Sequence, residues 1–126
     1  VDLRFQTTAR DTDFYAAMLD IDERGEMRMI GRSGKIRAAF IGGFDKPRPI
    51  MPGKTYSAKI ALWDTAHEFK SGHRIALVIM SGMFPMYSRN LGTGEPIKNA
   101  TKMVVQANTI FHDRKNPSTL KFRVLY

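Results

Sequence analysis

Apolar and polar residues alternate with a period of two along most of the chain, and no stretch keeps a helical repeat beyond about two turns. Leu3 and Phe5 alternate with polar neighbours up to a turn cluster at Asp11-Thr12-Asp13. Phe14 to Asp22 follows, with Tyr15, Ala17, Leu19 and Ile21 on one face. Glu23-Arg24-Gly25-Glu26 supplies a hairpin turn, with glycine where φ is free to be positive. Met27 and Met29 begin the return strand, and Ile36, Ala38 and Phe40 alternate with Arg37 and Ala39. Clearest of all is the segment with Tyr56, Ala58, Ile60 and Leu62 facing in and Ser57, Lys59 and Ala61 facing out. His73 to Ser81 is apolar on both faces, the pattern of a central strand packed on two sides. Met103 to His112 alternates again, Asp113 to Ser118 turns, and Leu120, Phe122, Val124 and Tyr126 mark a last strand.

The connections sharpen the picture. Residues 42–53 hold two tandem glycines, three prolines and a final Pro52-Gly53, so they form a loop passing between sheets rather than a central strand. Residues 82–102 carry Gly82, Pro85, Gly92, Gly94 and Pro96, which argues against helix throughout. Loops of that length in compact domains are often functional. Seven or eight strands, varied connections and no repeat predict an all-β chain. The expected architecture is an antiparallel two-sheet sandwich, a jelly roll, forming one domain over 1–126.

Composition agrees with a packed domain: 126 residues are 43% apolar and 25% charged. No apolar run exceeds the length of Ile75–Met80, and a membrane-spanning helix needs about twenty residues, so no membrane span is expected. The absence of cysteine removes disulfides, thiol nucleophiles and thiolate metal sites, and leaves the compartment, cytoplasmic or secreted, open. Lys and Arg exceed Asp and Glu by a formal +8. Such a surplus draws a chain toward nucleic acid, acidic membranes or an acidic partner surface.

Few residues form a chemical constellation. The nucleophile elbow G-x-S-x-G is absent, and the serines sit in turn or strand contexts. His67 and His73 flank Ser71-Gly72 without an H-x-x-x-H or an acidic cluster, and read as rings bonded to backbone around a turn. Asp11/Asp13 and Asp20/Asp22 read as turn caps rather than acid–base pairs or calcium ligands. Gly31-Arg32-Ser33-Gly34-Lys35 misses the phosphate-loop spacing and reads as a basic hairpin. Arg24, Arg28, Arg32, Lys35 and Arg37, then Lys46 and Arg48, form a solvated or partner-facing surface. No catalytic residue, metal ligand or cofactor is expected.

Four segments carry a resemblance. They are Asp11-Thr12-Asp13-Phe14 through Gly25; Pro52-Gly53 with the run Leu62-Trp63-Asp64-Thr65-Ala66-His67-Glu68-Phe69-Lys70-Ser71-Gly72-His73-Arg74-Ile75; Phe84-Pro85-Met86-Tyr87-Ser88-Arg89-Asn90 through Glu95; and Ile110-Phe111-His112-Asp113 with Pro117-Ser118. Together they resemble the C-terminal non-catalytic domain of the X-Pro dipeptidyl-peptidase, cocaine esterase and α-amino-acid ester hydrolase family of serine hydrolases. The resemblance implies a galactose-binding-like jelly roll joined to an α/β-hydrolase domain that carries a Ser-Asp-His triad. None of those catalytic residues falls on this sequence. Family members have one or two further strands before the equivalent of Leu3, so the chain reads as a sandwich without them. The sheet edge so exposed is expected to pair with another copy, giving a homo-oligomer.

The resemblance gives the partner as the α/β-hydrolase domain of the same parent chain, with the Phe84–Glu95 loop lying against it. Phe84, Met86, Tyr87, Arg89, Asn90 and Trp63 are the residues that would face the interface or the substrate cleft. The same loop would equally serve to cap the sandwich end, and both readings stand at this point. Arg89 and Asn90 are placed to tie the loop down, and Trp63 to pack over the sandwich mouth with its N–H bonded. Two rival functions are a carbohydrate-binding module using Trp63 and Tyr87, and a basic nucleic-acid-binding module. The second rests on charge alone, since Met, Ile and Ala rather than aromatics interleave the bases, and nucleic acid is not the expected partner.

Overall fold

The computed structural model describes residues 1–125 and is all-β but for one turn of 3-10 helix. Its strands are β1 (Asp2–Thr7), β2 (Asp13–Ile21), β3 (Met27–Arg37), β4 (Tyr56–Lys59), β5 (Arg74–Met80) and β6 (Asn108–Ile110). They form two antiparallel sheets, ordered β4-β1-β6 and β3-β2-β5. The two pack face to face. Leu3, Phe5 and Ala58 from the first sheet meet Phe14 and Ala16 from the second, with Ile50 and Ile60 closing the cluster. Phe5 and Phe14 touch edge to face, ring centroids 4.6 Å apart.

The two sheets differ in their outer faces. In β1, buried Leu3, Phe5 and Thr7 alternate with exposed or half-exposed Arg4 and Gln6, so the first sheet is amphipathic. In β2 every residue from Asp13 to Ala17 is buried. Phe14 and Ala16 point to the core, whereas Tyr15 and Ala17 point outward and are covered all the same. The register puts Leu19 and Ile21 of β2, Met27 and Met29 of β3, and Ala76 and Val78 of β5 on that outer face. There the face is bare: Met27 is 70% and Met29 50% exposed.

Several expected strands are shorter or absent, each for a local reason. Ala38–Phe40 is the 3-10 turn, not a strand continuation. The Ala38 N–H bonds the Thr12 carbonyl and the Ala39 N–H bonds Asp11 Oδ1, so neither is free for a ladder. Of Met103 to His112 only β6 pairs. The last strand reduces to one bridge, Thr119 to Asp2, whose register runs off the start of β1. Leu120 to Leu125 are in no strand among the described residues, and Tyr126 lies outside them. The strand expected to be central, β5, stands at the edge of its sheet and, among the described residues, pairs only with β2. Its two apolar faces are the core and the bare outer face.

Two connections close the molecule. Residues 60–73 cross from the first sheet to the second along the free edge of β3. Ile60 exchanges hydrogen bonds with Val1 at 2.8 Å each way, and Gly34 lets the Ala61 carbonyl and the Ile60 side chain sit where a Cβ would be. The long segment after β5 returns over the outer face of the second sheet, then reaches β6. Arg10 N–H donates to the Gly92 carbonyl and Thr8 N–H to that of Ala107, both at 3.1 Å.

Candidate functional site

The covered end of the outer face is held by a buried charge network. Asp13 and Arg37 are direct cross-strand partners in β2 and β3. Arg37 grips Asp13 in a fork, Nε to Oδ1 at 2.7 Å and Nη2 to Oδ2 at 2.8 Å, and reaches Asp11 at 3.7 Å. Asn90, at the tip of the long loop, donates from Nδ2 to Asp11 at 2.9 Å and to Asp13 at 2.8 Å, while its Oδ1 accepts the Gly92 N–H at 3.0 Å. Two carboxylates, each less than a tenth exposed, thus share one guanidinium. Burial pushes the Asp11 carboxyl above its ordinary range, opposed by the bonds from Asn90 and the Ala39 N–H and by the Arg37 charge. The hydrogen bonds to Asp13 hold Arg37 charged even beyond the usual guanidinium range, against its own partial burial.

Beside this network Tyr87 lies on Tyr15, ring centroids 5.3 Å apart, and the Lys35 ammonium sits 3.9 Å from the Tyr87 ring centre. Burial, reinforced by the Asp13 carboxylate, pushes the Tyr15 phenol above its ordinary range. Tyr87 and Lys35 line two neighbouring clefts. One, of about 410 Å³, is walled by Phe40, Phe44 and Ile36 with Asp13 and Arg37 at its floor. The other, about 340 Å³, runs beside Trp63, Leu62 and Asp64.

A second cluster closes the opposite end of the second sheet, on the core side. Asp20 accepts from His67 Nε2 at its Oδ2 and from His73 Nδ1 at its Oδ1, both at 2.8 Å. The shared carboxylate assigns the donor nitrogen of each ring. Burial works against the Asp20 charge, but the two imidazole bonds win and hold its carboxyl below the ordinary range. The rings were expected to bond backbone around the turn. They bond a carboxylate on another strand instead, and so fasten the 60–73 crossing to β2. The turn itself is as expected, with Gly72 at φ 83° and the His73 N–H on the Lys70 carbonyl.

The sequence-selected residues sort into three groups. Tyr87 and Asn90 are brought into the networks above. Arg89 stacks on Phe84, guanidinium carbon 4.5 Å from the ring centre, and Arg32 lies 5.9 Å over Trp63. Phe84, Met86 and Trp63 are each more than 60% exposed. Trp63 therefore does not pack over the sandwich mouth, and among the described residues its indole N–H has no partner. The sequence predicts turn caps at Asp11 and Asp13 and a solvated base at Arg37; instead two buried carboxylates and a half-buried guanidinium anchor the loop. Asp22 alone keeps the cap role, accepting the Arg24 and Glu26 N–H groups at 2.8 and 2.9 Å. The missed signal was the placement of Asp13 and Arg37 at the far ends of two strands joined by one hairpin, which register brings opposite each other.

The chain is 29% identical to the cocaine esterase of Rhodococcus sp. (strain MB1 Bresler) over 121 residues, which cover 94% of this chain. They span only 21% of the length of that esterase. A family model described as the X-Pro dipeptidyl-peptidase C-terminal non-catalytic domain matches residues 1–121. With nearly its whole length inside that match, the chain belongs to the X-Pro dipeptidyl-peptidase C-terminal non-catalytic domain family.

Proposed function

We propose that the chain, a single β-sandwich domain over 1–126, is the accessory domain of an α/β-type serine hydrolase acting on X-Pro peptides or related esters and amides. It brings no catalytic residue of its own. It seats the catalytic domain on the outer face of the β3-β2-β5 sheet, and its 84–90 loop stands at the margin of that seat, where it would help wall the substrate cleft. In the parent enzyme the nucleophilic serine and its histidine base would lie on the catalytic domain. The winding of the strands between sheets, with β1, β4 and β6 in one and β2, β3 and β5 in the other, supports a jelly-roll, galactose-binding-like description.

One observation carries this reading: the second sheet is apolar on both faces, while the first is apolar on one. A sheet whose outer face bears Leu19, Ile21, Met27, Met29 and Val78 is built to be covered there. The carbohydrate reading has less support, because the Tyr87 ring is already engaged by Tyr15 and Lys35. Pairing of a second copy through an exposed sheet edge remains part of the proposal for the chain on its own.

The test contrasts the two sheets within the full hydrolase polypeptide. Met29→Glu, on the outer face of the second sheet, should shorten the thermal-inactivation half-life of the hydrolase activity. Thr109→Glu, exposed on the first sheet, should not. Equal effects of the two, or none from Met29→Glu, would refute the seat.

A further inference from the structure

We infer that the partner surface meeting the 84–90 end of this face is acidic, presenting carboxylates to three cations that this chain holds ready on aromatic rings. The inference rests on the docking reading above and adds the chemistry of the partner.

Three cation–ring pairs line this margin: Lys35 over Tyr87, Arg89 over Phe84 and Arg32 over Trp63. Among the described residues the ion pairs within 4.0 Å are those of Arg37, His67, His73 and Lys121. Arg32, Lys35 and Arg89 are therefore without a carboxylate partner there. By contrast Arg37, one strand position from the Lys35–Ile36 pair, is fully engaged. Lys35 and Trp63 line one cleft with Tyr87, and Arg89 lies two residues further along the same loop.

A charge that becomes covered at an interface must find a counter-charge, or the cost of desolvation is not offset. Ring stacking does not neutralise a cation. It only orients the group and lowers the entropy lost when a partner binds it. Exposed Trp63, Phe84 and Met86 with half-buried Tyr87 beside Arg is also the composition of protein interface centres. Phosphates would answer the charges as well. Yet the adjoining Leu19, Met27 and Met29 offer a polyphosphate chain nothing, whereas a protein surface covers both halves at once.

The experiment uses the full hydrolase polypeptide. Lys35→Met and Arg89→Met together keep apolar stems over Tyr87 and Phe84 but remove two charges. Arg32→Met, at an exposed site, removes the third without touching the loop. Thermal-inactivation half-life is read at about 0.1 M and about 1 M salt, which shortens the screening length from about 10 Å to about 3 Å. The unmodified protein should lose about fivefold in half-life at high salt. Both variants should be shorter-lived at low salt, and the double variant largely insensitive to salt. If the charge variants match the unmodified protein at both salts while Met29→Glu still shortens the half-life, the seat stands and its partner is not acidic. If Met29→Glu is silent too, the docking reading falls and the inference with it. Binding of a mixed-sequence oligonucleotide by the 126-residue chain, abolished in the double variant, would also overturn the assignment.

Discussion

Asp13 and Arg37 face each other across β2 and β3 and join through two parallel hydrogen bonds of 2.7 and 2.8 Å. Because Asp11 shares the same guanidinium, Arg37 is what keeps two buried carboxylates tolerable. Arg37→Met should cost about 3 kcal/mol of unfolding free energy, the usual penalty for stranding a buried charge. Arg37→Lys keeps the charge but loses the fork, and should cost roughly half as much. Chemical denaturation of the three proteins side by side checks the order.

Asn90 is the single side chain that ties the long loop to this network. Asn90→Ala removes two donors from Asp11 and Asp13 and one acceptor from Gly92, so a loss of about 2 kcal/mol is expected. Hydrogen exchange should show the change concentrated in residues 84–92, with β1 and β4 unaffected. Uniform loss of protection would mean that Asn90 supports the whole fold instead of the loop.

Gly34 tests the crossing along the β3 edge. A Cβ there would sit against the Ala61 carbonyl and 2.8 Å from Ile60 Cγ2. Backbone cannot swing aside as a flexible side chain can, so Gly34→Val should destabilise by about 3 kcal/mol. Gly25→Ala, with open space around its Cβ but φ of 85°, should cost only about 1 kcal/mol, from backbone strain alone. Thermal unfolding of the pair distinguishes crowding from strain.

Acid should reveal the Asp20 clamp. Asp20 is held below its ordinary value near 3.8, so its contribution is complete above that value and is lost as pH falls through the folded one. Asp11 is shifted the other way: its ionised form costs stability at neutral pH, and protonation relieves that cost. In Asp20→Asn the loss of stability below about pH 4 should therefore be shallower than in the parent chain, from a lower neutral-pH starting point. A parallel acid limb in the two proteins would count against the clamp.

The local pattern was legible where one side chain alternation decides one strand. Leu3 and Phe5, the Phe14–Asp22 strand, the Gly25 turn and Tyr56–Ala58 all follow from period two and turn chemistry. What local pattern does not encode is pairing across the fold. His67 and His73 read as a turn because their partner, Asp20, is 47 and 53 residues away in sequence. Ile75–Met80 looked central because two apolar faces were visible, but not that one of them lies outside the sandwich. Ala38–Phe40 kept the alternation of a strand, yet Asp11 and Thr12 had already taken its N–H groups. Of the candidate site, Tyr87 and Asn90 were found from the loop's length and its resemblance, whereas the buried charges beneath them were not.

Ala16 and Ala17 are neighbours on β2, both with no measurable exposure, and they point to opposite sides of the strand. The strand is thus a party wall one backbone thick, with the sandwich interior on one side and the loop-covered space on the other. Any force that presses on the outer compartment is felt directly within the inner one. Enlarging either methyl would displace the same backbone, and evolution can remodel neither room without the consent of the other.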